Sequence, residues 1–137
     1  MNPETVLQLK MLGEVGASAT HRLWRNASGH YYAGKLIRHG PGLVTLGATD
    51  AVIRGCTPIH AGLCDGAADL VGILSVPVAS LPADGMAGLF LAIEVKTPDG
   101  TVQPHQRAWR EMILALGGVA GVARSVEEAR GIVGRRT

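Results

Sequence analysis

A chain of 137 residues that is 47% apolar and 18% charged has material for one domain with a real core, too little for two ordinary ones, and too much apolar content for disorder. No apolar run approaches a membrane span, and the first residues lack the basic-then-apolar order of a secretory signal, so a soluble, cytoplasmic protein is expected. A formal charge of +2 is compatible with nucleic acid without requiring it. The two cysteines, Cys56 and Cys64, with His60 between them, make neither a disulfide framework nor a strong zinc pattern.

Pro3 opens a predicted first helix running to about Ala17, whose apolar positions Val6, Leu7, Leu9, Met11, Leu12 and Val15 give it a broad buried face. Glu4 suits the positive end of that helix and shares a face with Gln8, one turn on. Leu23 and Trp24 read as a short strand, Ser28-Gly29 as a turn, and Tyr31 to Ile37 as a second strand or irregular hairpin arm. Arg22, Arg25, Lys35, Arg38 and His39 lie in a stretch without acids between Glu14 and Asp50, and Arg135 and Arg136 end the chain. Together with Asn26, His30, Tyr31 and Tyr32, the cations of this stretch form a candidate phosphate-contacting surface, because the arginine fork suits phosphate and tyrosine stacks or donates. An ordinary solvated hairpin is the competing reading.

From Gly40 to Gly66 the pattern is turn-rich and poorly periodic. Val44 to Leu46 reads as a small strand, Asp50 to Arg54 as a short helical turn, and Cys56 to Cys64 as loop. Leu70 to Val76 is a strand of small and branched residues, preceded by Asp69 and ended by Pro77. Pro82-Ala83-Asp84-Gly85 turns the chain into Gly88 to Lys96, GLFLAIEVK, the best candidate for a buried central strand. Antiparallel pairing of these two strands sets Asp69 beside Glu94 and Lys96. Period two puts Glu94 and Lys96 on one face and Ile93 and Val95 on the other. After the Pro98-Asp99-Gly100 turn, Gln103-Pro104 opens a helix to about Leu116 with Gln106 in its first turns, and Gly117-Gly118 ends it. Val119 to Ala123 is a further strand, and Ser125 with Glu128 has capping-box spacing for a last helix to about Val133. The class is α/β: a mixed central sheet flanked by helices.

A carboxylate and an ammonium at the end of a core strand are costly to desolvate unless they are paired, metal-bound or opened to solvent. Two converging carboxylates are a hard oxygen set suited to magnesium or manganese, with the lysine orienting a water or neutralising developing charge. A strand-end salt bridge and another anion or cofactor site are open alternatives, because an isolated E-x-K is a weak motif.

Four ordered segments carry more weight: GAADLVGI (Gly66 to Ile73), FLAIEVKTPDG (Phe90 to Gly100), PHQRAW (Pro104 to Trp109) and GGVAGVARSVEEA (Gly117 to Ala129). Together they resemble the VRR-NUC family, virus-type replication-repair nucleases of the restriction-endonuclease-like, or PD-(D/E)xK, superfamily. The resemblance implies that residues 1–137 form a single nuclease domain with a restriction-endonuclease-like core, a metal-dependent DNA endonuclease using Mg2+ or Mn2+. It implies Asp69, Glu94, Lys96 and Gln106 as catalytic residues and Asp69, Glu94, Val95 and Glu4 as the metal set, with Glu14 competing for the place of Glu4. Arg25, Asn26 and Gly29 resemble the family's Arg-Asn segment, and Arg22, Arg25, Asn26 and Lys35 are the expected nucleic-acid contacts. Ala67-Ala68 stands where the family commonly has Ser-Pro, which alters the approach to the strand and removes no ligand. Similarity to stand-alone phage-type members further implies branched DNA such as Holliday junctions as substrate, a homodimer, and the cytoplasm of a bacterium or phage-infected host. A catalytically idle nucleic-acid-binding domain on the same fold is the alternative.

Overall fold

Asn2 and Pro3 start the first helix, α1 (Pro3–Val15): the Asn2 side chain accepts the Glu4 N–H at 2.9 Å, and Pro3 occupies a first-turn position where no donor is needed. The structure is a computed structural model that describes residues 1–37, 52–79 and 85–134. After α1 come β1 (His21–Arg25), β2 (Gly29–Ile37), β3 (Val52–Ala61), β4 (Leu70–Pro77), β5 (Met86–Val95), α2 (Pro104–Ala115), β6 (Val119–Ala123) and α3 (Val126–Val133). Arg38, His39, Asp50, the expected strand at Val44 to Leu46, most of the turn from Pro82, and Arg135 with Arg136 lie outside the described residues.

Four strands make the main sheet in the order β1-β4-β5-β6, with β1/β4 and β4/β5 antiparallel and β5/β6 parallel. A parallel neighbour needs a crossover, and α2 supplies it. Leu23, Leu70, Leu74, Leu91, Ile93, Val95 and Val119 project to one face of the sheet and close the core with Met11 and Val15 of α1 and Val126, Ala129 and Ile132 of α3. The opposite face carries Ala92 and Ala120, on which α2 rests Trp109 and Ile113. Ser125 caps α3 by accepting the Glu128 N–H at 3.1 Å, while the Glu128 carboxylate reaches back to the Arg124 N–H at 2.7 Å. The mixed sheet with flanking helices is the restriction-endonuclease-like α/β core. Among the described residues no helix is long and apolar enough to cross a membrane.

Several expectations change. Helix α1 ends at Val15, capped by Gly16 and two residues short of Ala17, and leaves Val6 and Leu9 exposed. The short strand around Leu23 is not a hairpin arm for the next strand. It pairs with β4, which lets Leu23 bury in the core. The stretch expected to be helical turn and loop is instead β3, ten residues paired antiparallel with β2 in a separate two-stranded ribbon. Strand periodicity arises from one buried face. The exposed residues of β3 have none, and Pro58 is tolerated because each strand of a two-stranded ribbon is an edge. Cys56, on this ribbon, and Cys64, in the loop after it, are exposed free thiols.

Gly72, in β4, is a close-approach glycine: a Cβ there would run into the Arg22 carbonyl of β1. Gly72→Ala is therefore expected to force β1 and β4 apart and to lower stability by about 1–3 kcal/mol. Denaturant unfolding checks this, and an unchanged midpoint would refute the close packing of β1 on β4.

Candidate functional site

Period two and the β4/β5 register together build the site. Leu70 pairs with Ile93 and Val71 with Ala92, so Asp69, one residue before β4, falls level with the end of β5. There its Oδ2 accepts the Val95 N–H at 2.9 Å. Glu94 and Lys96 leave the sheet on the face opposite Ile93 and Val95, and they meet as an ion pair with Nζ 2.8 Å from Oε1. Lys96 N–H continues the ladder to the Ala123 carbonyl at 3.1 Å, which fixes the lysine backbone although β5 has ended.

Two helix starts converge on the same end of the sheet. The first turn of α1 brings the Glu4 carboxylate to 3.7 Å from Lys96 Nζ. Glu14, near the other end of α1, pairs with Arg130 on the surface at 3.3 Å, so of the two competing carboxylates the structure brings Glu4 to the cluster. At the start of α2, Gln106 Oε1 accepts the Gln103 N–H at 2.9 Å, which turns its Nε2 to donate to Glu94 Oε1.

The backbone before Asp69 is held from β1. The Asn26 N–H donates to the Asp69 carbonyl at 2.7 Å, its Nδ2 to the Ala68 carbonyl at 3.0 Å, and its Oδ1 accepts the Leu63 N–H at 3.3 Å. Gly66, at φ +84, lies so close to the His105 carbonyl that a Cβ would not fit. The loop carrying Asp69 is thus clamped between the end of β1 and the start of α2.

Burial sets the electrostatics. Among the described residues the buried polar or charged side chains are Gln8, Glu94 and Lys96, at 7%, 4% and 8% exposure, and all three belong to this cluster. Desolvation raises the Glu94 pKa to about 7; nearby Asp69 and Glu4 push the same way, and the Lys96 contact opposes them. Desolvation also raises Asp69, against the Val95 hydrogen bond and Lys96. For Lys96 burial works against the charge, yet the contacts with Glu94, Glu4 and Asp69 outweigh it and hold the lysine above its usual value.

The remaining expected contacts divide. Arg25 sits beside the cluster, its Nε donating to Gln8 Oε1 at 3.2 Å. Arg22 is exposed on β1, level with Ile73 and Phe90, four residues before Glu94 along β5 on the same face. Asn26 spends its side chain on the loop before Asp69. Lys35 lies on β2, in the ribbon, at a position paired with Arg54. Gln8, which shares a helix face with Glu4, thus reaches a strand 17 positions on, a bond whose one trace in the sequence is a glutamine set in an apolar stripe between Leu7 and Met11. A pocket of about 690 Å³ opens beside Asp69 and Gln106 and is walled further by Asn26, Ser28, His60 and His105.

The donor chemistry suits a hard divalent cation: neighbouring carboxylate oxygens, those of Asp69 and Glu94 raised in pKa by burial, with Asp69 lining the pocket. Among the described residues no group of three or more His, Cys, Asp or Glu side chains is placed to hold a metal ion. Mg2+ is ordinarily held by one or two carboxylates and keeps several waters.

Compared with known families, residues 49–127 match the VRR-NUC domain, and no curated protein or solved structure matches the chain. The matched span covers more than half of the sequence, from just before β3 into the first turn of α3, and includes Asp69, Glu94, Lys96 and Gln106. A domain of this kind has a nuclease-type function, and the chain belongs to the VRR-NUC family.

Proposed function

We propose that the chain is a divalent-metal-dependent DNA endonuclease whose reaction centre is the end of β5. One observation carries the reading: the buried polar side chains among the described residues gather at a single sheet end, beside a pocket, instead of being spread through the core. Replacing a buried ion pair by apolar residues is often neutral or stabilising. Stability therefore does not account for keeping Glu94 and Lys96 there, whereas phosphodiester hydrolysis does.

Asp69, Glu94, Glu4 and Val95, the last through its main-chain carbonyl, are the residues that would hold Mg2+ or Mn2+. The ion would supply Lewis acidity at the scissile phosphate and a lowered pKa for the attacking water. The protein's own groups do the positioning. The Val95 N–H fixes one oxygen of Asp69, and Gln106 and Lys96 together fix Oε1 of Glu94. Lys96 keeps its proton throughout the neutral range, so it offers a fixed positive charge to the phosphoryl oxygens as negative charge builds on them. Arg25, Arg22 and Lys35 are assigned to the phosphates that flank the cut, and Asn26 to holding the Asp69 loop from which those phosphates are approached.

The finer substrate reading rests on the resemblance to stand-alone phage-type members: branched duplex such as a Holliday junction, cut by a homodimer, in DNA repair or phage replication within the cytoplasm. A single small domain with one site needs a second copy to cut both strands symmetrically.

Asp69→Ala and Glu94→Gln are each expected to lower cleavage of duplex or four-way-junction DNA by roughly 10²–10³-fold or more in Mg2+ or Mn2+, with the circular dichroism spectrum unchanged. Lys96→Ala is expected to lose turnover to a similar extent while still binding Mn2+ in calorimetry. Full cutting by the Asp69 or Glu94 variant would remove the assignment.

The Glu94 shift gives a pH signature. Its carboxyl titrates near 7 in the folded chain against an ordinary 4.5, so between these values the native state holds a proton that the unfolded state has released. Metal-free stability should therefore fall as pH rises from about 4.5 to 7 and level off above. The difference between wild type and Glu94→Gln in melting temperature, measured in chelator, isolates this contribution and should shift against the wild type as pH rises. Metal has to displace that proton below pH 7, so Mn2+ affinity should climb through the same window. A pH-independent difference would place the Glu94 carboxyl in solvent.

A further inference from the structure

The β2–β3 ribbon is an insertion between β1 and β4, two strands that are neighbours in the main sheet. Among the described residues it packs on itself, and no helix or strand of the body makes more than marginal contact with it. A two-stranded ribbon is marginal in water on its own. This one nonetheless leaves Tyr31, Tyr32 and Ile59 at 43%, 61% and 46% exposure. Neither strand contains an acidic residue, and the register sets Lys35 opposite Arg54 across a point where the pairing shifts.

We propose that this ribbon is a DNA-binding arm that lies in the groove of the duplex leading to the cut site. The inference rests on the endonuclease reading and specifies how its substrate is held. Three observations point the same way. Nine and ten residues of strand extend roughly 30 Å, close to one turn of B-DNA at about 34 Å, and a two-stranded ribbon is a shape the major groove admits. The base of the ribbon, at Gly29 and His60, forms part of the wall of the pocket that contains Asp69 and Gln106, so a duplex gripped by the arm continues toward the carboxylates. The arm also carries Lys35 and Arg54 with no acid in either strand, a composition that phosphates complement.

Binding measured in chelator separates the arm from the chemistry. Fluorescence anisotropy with a duplex of roughly 30 bp, from about 50 to 300 mM salt, reads affinity and salt dependence together. For Lys35→Ala/Arg54→Ala the expected result is at least tenfold weaker binding at about 100 mM salt and a log–log salt slope shallower by about 2, the loss of two phosphate contacts. Tyr32→Ala should weaken binding with little change of slope. If the double alanine variant melts early, Lys35→Gln/Arg54→Gln keeps the side-chain stems and gives the same comparison. Unchanged affinity and slope would overturn the proposal. So would variants that lose self-association in sedimentation while each protomer binds DNA as before, which would make the ribbon an interface between copies. Failure of the arm leaves the Asp69→Ala cleavage result standing, and a wild-type chain that neither binds nor cuts DNA removes both readings.

Discussion

The site depends on the register between β4 and β5. A strand slipped by one residue presents every side chain to the wrong face, and here such a slip would turn Glu94 and Lys96 into the core and Ile93 and Val95 out of it. The observed pairing of Leu70 with Ile93 puts Asp69 level with the strand end, where the Val95 N–H meets its carboxylate. Several independent contacts hold that register. Gly72 allows β1 to close on β4, Asn26 fastens the backbone at Ala68 and Asp69, and Gly66 lets the preceding loop pass under the start of α2. The geometry of the candidate site is therefore a property of the sheet, and its accuracy comes from rigid elements more than from loops.

The register also imposes a cost. It carries two carboxylates and a lysine out of bulk water at one place, with Glu4 close behind, and the acids respond by holding their protons more tightly. One ammonium among three carboxylates leaves an excess of negative charge when all are ionised. A cation relieves that excess far better than further apolar packing would, and a phosphate can approach only once it is relieved. On the proposed reading, affinity for a metal and readiness for a polyanionic substrate are linked through the same buried charges.

Legibility in the sequence followed burial. Strands β4 and β5 and the start of α2 could be read because each has a core-facing side or a sharp punctuation at Pro77, Gly100 or Pro104, and the meeting of Asp69, Glu94 and Lys96 followed from two strands and one antiparallel connection. Glu4 and Glu14 could not be ranked from the sequence. They sit on one helix about 15 Å apart along its axis, and only the docking of α1 across the sheet decides which reaches Lys96. The bond between Gln8 and Arg25 was hidden for the same reason, since it joins a helix to a strand 17 positions later.

β3 was illegible for a different cause, and that cause bears on function. Its residues answer to no core, so no alternation of apolar and polar positions is required of them, and Gly55, Pro58 and a shift of register are all tolerated. A segment freed from packing would ordinarily drift toward short, polar loop. This one keeps two long strands, adjacent tyrosines, exposed isoleucines and a pair of cations without any acid. Regular structure maintained without a core of its own calls for a surface outside the protein that is as extended and regular as the ribbon. With Lys35 and Arg54 toward its far end and the Asp69 pocket at its foot, a nucleic-acid duplex meets that description better than a second copy of the same basic strands.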